Sequence, residues 1–135
     1  MSSERSRPDE LQSRTKQIKT ACGRVYATVG VDVERDSIYE IILVLGKAGT
    51  CQKANMEVVG RLCTKSLQYG VPVVAITKQM RGIECYKGGG SAKGDNITCW
   101  HQVAEFIDDE NKRLCAARAI LAGECGSENS ERAAG

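Results

Sequence analysis

One stretch of the chain alternates clearly in polarity at period two. From Arg24 to Val33, the residues Val25, Ala27, Val29, Val31 and Val33 fall on one side and Tyr26, Thr28, Gly30 and Asp32 on the other, the pattern of a strand with one buried face. Ile38 to Leu45 is a second β-branched run, and the short polar connection from Glu34 to Ser37 predicts that the two pair as an antiparallel hairpin. Ahead of them, Thr15 to Thr20 alternates more weakly. A turn at Cys22 and Gly23 brings that segment back onto the sheet and completes a three-stranded meander.

After Leu45 the period changes. Met56, Val59, Cys63 and Leu67 recur at helical spacing, with Val58 and Leu62 widening the apolar stripe, which predicts a helix from Cys51 to Tyr69. Thr50 suits its N-cap and Gly70 the left-handed position after it, and Pro72 opens the next helix, where a missing N–H costs nothing. That second helix is short, with Val73, Ile76 and Met80 on one face and Gly82 at its end. A third runs from Thr98 to Gly123 along Trp100, Val103, Ile107, Leu114 and Leu121, with Asp108 to Asn111 as a candidate interruption. Strands followed by helices predict an α+β fold: a three-stranded antiparallel β-meander followed by three helices packed on one face. Residues 1–12 and 124–135 are rich in Ser, Glu, Arg and Ala, and are expected to be disordered tails around a single domain over residues 13–123.

Composition narrows the function classes. A chain of 135 residues, 41% apolar, has room for one hydrophobic core. Nineteen basic residues against 17 acidic ones leave a net charge of +2, so there is no electrostatic footprint for specific DNA binding or for a membrane surface. No apolar run reaches the roughly 18 residues of a bilayer-spanning helix. The polar start, MSSERSRPDELQSR, lacks the apolar stretch of a signal peptide, and a cytoplasmic location is expected.

Seven cysteines are many for a reducing compartment. Four fall at predicted junctions: Cys22 before the second strand, Cys51 at the start of the first helix, Cys85 after the second helix, and Cys99 at the start of the third. The positive end of a helix favours a thiolate at Cys51 and Cys99, the form that binds metal or attacks a disulfide. Either use requires the four to converge. The other reading is four separate thiols packing as small hydrophobes, and no Cys-x-x-Cys pair argues against it. Cys63 lies on the apolar stripe and belongs to the core, while Cys115 and Cys125 read as helix-packing or surface thiols.

Two glycine-rich loops are candidate phosphate sites. Gly46 to Cys51 joins a strand to a helix, so its N–H groups, with Lys47, Gly49 and Thr50, are placed either to face an anion or simply to make a tight turn. The residue order is not that of a Walker loop. Gly88 to Asp95, with Gly89, Gly90, Ser91 and Lys93, is either a phosphate clamp or a plain surface loop. His101, the single histidine, is as well explained by packing beside Trp100, and no catalytic residue is assigned.

Six blocks resemble, in order along the chain, the TSCPD domain: Lys19 to Tyr26, Leu45 to Cys51, Gly60 to Leu62, Tyr69 to Pro72, Ile76 to Cys85 and Ile97 to Cys99. That domain is found at the C-terminus of adenosylcobalamin-dependent (class II) ribonucleotide reductases and as small free-standing proteins. Cys22, Cys51, Cys85 and Cys99 coincide with the family pattern, and the resemblance implies zinc held by these four thiolates as their simplest joint role. The signature itself departs: Thr98, Cys99, Trp100 and His101 stand where Ser-Cys-Pro-Asp is usual. The acid that would complete a capping box is thereby lost.

The resemblance does not bring the reductase reaction. Its radical-bearing cysteine, reducing cysteine pair and cobalamin pocket belong to a separate and much larger catalytic barrel. This chain alone is therefore expected neither to be an enzyme nor to bind cobalamin. One reading makes it an accessory module of a class II ribonucleotide reductase, a component of ribonucleoside-diphosphate reductase in deoxyribonucleotide and hence DNA synthesis. As such it docks on the catalytic chain and relays reducing equivalents through its cysteines. The other makes it a free-standing homo-oligomer that binds or sequesters a nucleotide ligand through the two glycine-rich loops, with Lys47 and Lys93 on the phosphates. A plainer third is an interaction domain whose exposed helix face joins subunits.

Overall fold

The computed structural model describes residues 3–20, 22–46, 49–83 and 99–122, the side chains of 119–122 apart. Three strands, β1 (Gln12–Thr20), β2 (Gly23–Asp32) and β3 (Ser37–Leu45), are followed by three helices, α1 (Cys51–Gln68), α2 (Val73–Met80) and α3 (Cys99–Ala122). The strands form one antiparallel sheet in the order β1-β2-β3. The fold is α+β, as the change of period after Leu45 predicts. One cluster of buried side chains unites Val25, Ala27 and Val29 of β2, Ile41, Leu43 and Leu45 of β3, Met56 and Leu67 of α1, Ile76 and Met80 of α2, and Val103, Phe106 and Ile107 of α3.

The weak alternation of the first strand has a physical reason. Along β1 only Ile18 is buried, because the neighbouring inward positions carry the long cations Arg14 and Lys16. Arg14 Nη1 reaches Glu110 Oε1 of α3 at 2.8 Å, and the Lys16 ammonium stands 5.9 Å from the centre of the Phe106 ring. Their aliphatic stems cover α3 while the charged ends stay in water.

At the end of β2 the predicted faces exchange. Gly30 pairs with Glu40 and Val31 with Ile38, so Tyr39 is an extra residue on β3, a β-bulge. Asp32, expected on the wet side, is only 5% exposed, and Val33, expected in the core, is 48% exposed in the turn. The Asp32 carboxylate accepts from the N–H groups of Glu34 at 3.1 Å and Arg35 at 3.4 Å. That side-chain turn compensates its burial.

The α1 helix is bounded as predicted. Thr50 Oγ1 accepts from Lys53 N–H at 3.2 Å. At the other end Gly70 takes φ +86°, with its N–H on Leu67 O and that of Val71 on Ser66 O, both at 3.0 Å. These two bonds make a Schellman motif. Pro72 differs slightly from expectation, standing at the N-cap of α2 with ψ 143° rather than inside the helix.

Side by side with the outer edge of β3, α1 covers what would be an unpaired row of backbone groups. Thr64 Oγ1 accepts from Ile41 N–H and donates to Ile41 O, each at 3.0 Å. Gly60 permits this approach: a Cβ there would stand 3.2 Å from Leu43 N and 3.3 Å from Ile41 O. A glycine inside a helix weakens it, and its place here is explained by the β3 backbone beside it.

Asp108 to Asn111 does not interrupt α3, which is continuous over 24 residues. Asp108 accepts from Thr77 Oγ1 at 2.7 Å and from Arg81 Nη2 at 2.6 Å, tying α3 to α2. Glu110 holds Arg14 of β1 and Arg113.

Residues 3–11, in the stretch expected to be a tail, lie against the fold. Arg5 donates its N–H to Gln68 O at 2.9 Å and Nη2 to Leu67 O at 2.8 Å, and its own carbonyl accepts from Tyr39 Oη at 3.0 Å. Leu11 packs over Gly30. A cation at the carbonyl end of α1 complements the helix dipole, and this holds the polar segment in place. The second expected tail, 124–135, lies outside the described residues.

Candidate functional site

The apolar face of α1 is wider than one sheet can cover. Met56, Gly60, Cys63 and Leu67 are buried, whereas Val58 and Leu62, expected to extend that stripe into the core, are 53% and 62% exposed. They point to a second face. With Val71, Ile76 and Ile83, and with Trp100 at the start of α3, they line a groove of about 620 Å³ between α1 and α2. Its polar lining residues are Asn55, Ser66 and Gln79, and none of its described lining residues is charged. Contiguous exposed apolar surface of this kind marks interaction sites. Its signal in the sequence is the breadth of the α1 stripe.

Cys63 sits at the floor of this groove. Burial pushes its thiol up to about 11, so it stays protonated and inert, in keeping with a core cysteine. The described junction cysteines lie in the β1–β2 turn and at the starts of α1 and α3. Cys22 is half-buried in the β1–β2 turn with its N–H donating to Thr20 Oγ1 at 3.2 Å. Cys51 is exposed at the first turn of α1, and Cys99, half-buried, opens α3 against the core. Cys85 lies outside the described residues. Among the described residues no group of three or more His, Cys, Asp or Glu side chains is placed to hold a metal ion. Cys22, Cys51 and Cys99 therefore do not by themselves form a three-ligand shell.

Of the first glycine-rich loop, Gly49 and Thr50 are described and Lys47 is not. Gly49 takes φ +81°, the left-handed region that glycine adopts freely. The Thr50 hydroxyl is committed to capping α1. Gly89, Gly90, Ser91 and Lys93 of the second loop fall outside the described residues. His101 Nε2 is 3.1 Å from Glu105 Oε1, one helical turn away, a surface pair of the i, i+4 kind.

No helix among the described residues is long and apolar enough to cross a membrane. The family model described as the TSCPD domain matches residues 2–111 of the chain. The matched stretch takes in the segment before β1 that docks on α1. No curated protein and no solved structure matches the chain.

Proposed function

The chain belongs to the TSCPD domain family, a ribonucleotide reductase-associated domain, and on that premise we propose that it is a non-catalytic accessory module of a class II ribonucleotide reductase. The family match over residues 2–111 carries this reading. The groove of α1 and α2, with no charge among its described lining residues, supports it. Val58, Leu62, Val71 and Ile83 present apolar surface of the sort that a larger chain covers on docking, with Trp100 as an aromatic anchor of the type that dominates interface energetics. The occupant of the groove is the catalytic chain of the reductase.

Size-exclusion chromatography of this protein mixed with a class II catalytic chain, together with turnover with and without it, tests the reading. A complex and raised turnover are expected, both abolished by Leu62→Asp, which places a charge on a surface residue and leaves the core intact. Independent elution with unchanged turnover refutes it. The zinc assignment to Cys22, Cys51, Cys85 and Cys99 has its own test. One zinc per chain with four thiols unmasked by chelation supports it, and metal-free protein with those thiols reactive ends it.

A further inference from the structure

A second cavity, of about 400 Å³, opens where the segment before β1, the C-terminal turn of α1, the start of α2 and the later turns of α3 meet. Two guanidinium groups line it, Arg5 and Arg118. Neither makes an ion pair with any described carboxylate. Both are half-buried, and the Nε of each is shielded from solvent with no acceptor. Arg5 Nη2 donates to Leu67 O and Nη1 to Ser37 Oγ, and among the described residues Arg118 donates to the weak acceptor Cys115 Sγ, at 3.7 Å. Glu4, beside Arg5 in the chain, is taken up by Lys65. The described lining contains no acid.

The carbonyl end of α1 offsets part of the Arg5 charge, whereas no described carboxylate meets Arg118, and an anion in the cavity gains from both guanidiniums. The remaining lining suits such an anion. Ser37, Gln68 and Asn111 add hydrogen-bonding side chains. Phosphate oxygens accept from guanidinium, amide and hydroxyl donors alike. Arg presents parallel N–H groups that match phosphate oxygens.

We propose that this cavity is an oxyanion site, built by Arg5 and Arg118, for a phosphate group. The group is either free phosphate or the phosphate of a nucleotide, since the cavity falls within the range of small-ligand sites, about 300–1,000 Å³. The site is separate from both glycine-rich loops and stands apart from the reductase reading, because it is tested by ligand titration and not by complex formation.

Calorimetric titration of the full chain with inorganic phosphate, a deoxynucleoside monophosphate and the corresponding deoxynucleoside tests it at constant ionic strength. Phosphate and the monophosphate are expected to bind and the deoxynucleoside to stay silent. Equal affinity for the two binders identifies the free ion as sufficient, and tighter monophosphate binding identifies a nucleotide. Arg118→Gln is expected to weaken binding at least ten-fold, with Arg118→Lys intermediate. A phosphate-dependent rise in Tm of the parent protein, absent with chloride, gives a readout that does not depend on a variant. Flat heats with no Tm shift, or unchanged affinity in folded Arg118→Gln, overturn the assignment. Loss of binding in Lys93→Ala with Arg118→Gln unaffected also overturns it, placing the anion at the glycine-rich loop.

Discussion

Replacing Thr64 with valine removes one oxygen atom, keeps the branched shape of the side chain, and is expected to release the outer edge of β3 from α1. The hydroxyl makes two hydrogen bonds to Ile41, one to each backbone group, both at 3.0 Å. Each is worth about 0.5–1.5 kcal/mol net, and a buried group left without a partner costs up to about 1–3 kcal/mol. The groove beside this edge, lined by Ile41, Gly60 and Thr64, is about 650 Å³ and admits water to part of it. The loss then lies toward the lower end, about 1.5–3 kcal/mol in all. Against a total stability of about 5–15 kcal/mol for a domain this is a large fraction, and it corresponds to a fall in Tm of about 6–12 °C for a domain of this size. Urea unfolding followed by far-ultraviolet circular dichroism measures it, with an unchanged m-value showing that the compactness of both states is preserved. Thr64→Ser is the control, since it keeps the hydroxyl and loses only a methyl group. If valine and serine destabilise equally, or if valine stays within about 0.5 kcal/mol of the parent, which is the ordinary range for a neutral surface change, then the hydroxyl does not hold the edge.

Gly60→Ala gains about 1 kcal/mol of helix propensity but sets a Cβ 3.2 Å from Leu43 N and 3.3 Å from Ile41 O. Overpacking of that kind costs about 1–3 kcal/mol, so urea unfolding is expected to show a net loss, and a net gain would mean that the helix moves off the strand freely. In thiol titration of the native protein at pH 8, exposed Cys51 is expected to react readily while Cys63, whose thiol burial pushes up to about 11, reacts only on unfolding. Equal rates for the two would contradict the packing of α1. The hydrogen bond and charge of Lys65 hold Glu4 below its ordinary 4.5, and Glu4 in turn raises Lys65 above 10.5. The Glu4 contribution is therefore present above its unfolded value and lost as pH falls through the lowered one. The Lys65 contribution is present below its unfolded value and lost as pH rises through the raised one. Protection of residues 3–11 from a protease is expected to be level from about pH 5 to 10 and to decline outside that window, although slightly, because both groups are solvent-screened. A change between pH 6 and 8 would show that other groups dock the segment.

What a sequence reveals about a position depends on how far away the deciding contact lies. The buried face of β2 up to the bulge, the N-cap at Thr50 and the turn at Gly70 are settled within one element, and there period and capping chemistry suffice. Tyr39 becomes the extra residue of a bulge only because of how β2 pairs with β3, and that pairing inverts Asp32 and Val33 against their local pattern. Asp108 looks like a helix breaker until Thr77 and Arg81, 31 and 27 residues earlier, meet its carboxylate. The same rule applies to both candidate sites. Val58 and Leu62 share a helix with the core stripe, and hydrophobic spacing alone does not separate a face that meets the sheet from one that faces outward. The separation comes from Gly60 and Thr64, which fix α1 to the edge of β3 and so turn those two side chains into the groove. Arg5 is one basic residue in a polar segment, with no local pattern to single it out. Its importance arises from the α1 carbonyls it caps and from Arg118, 113 positions later, across the same cavity. A site composed of residues from separate segments leaves no motif, and its trace is instead two guanidinium groups in one cavity whose described lining holds no acid.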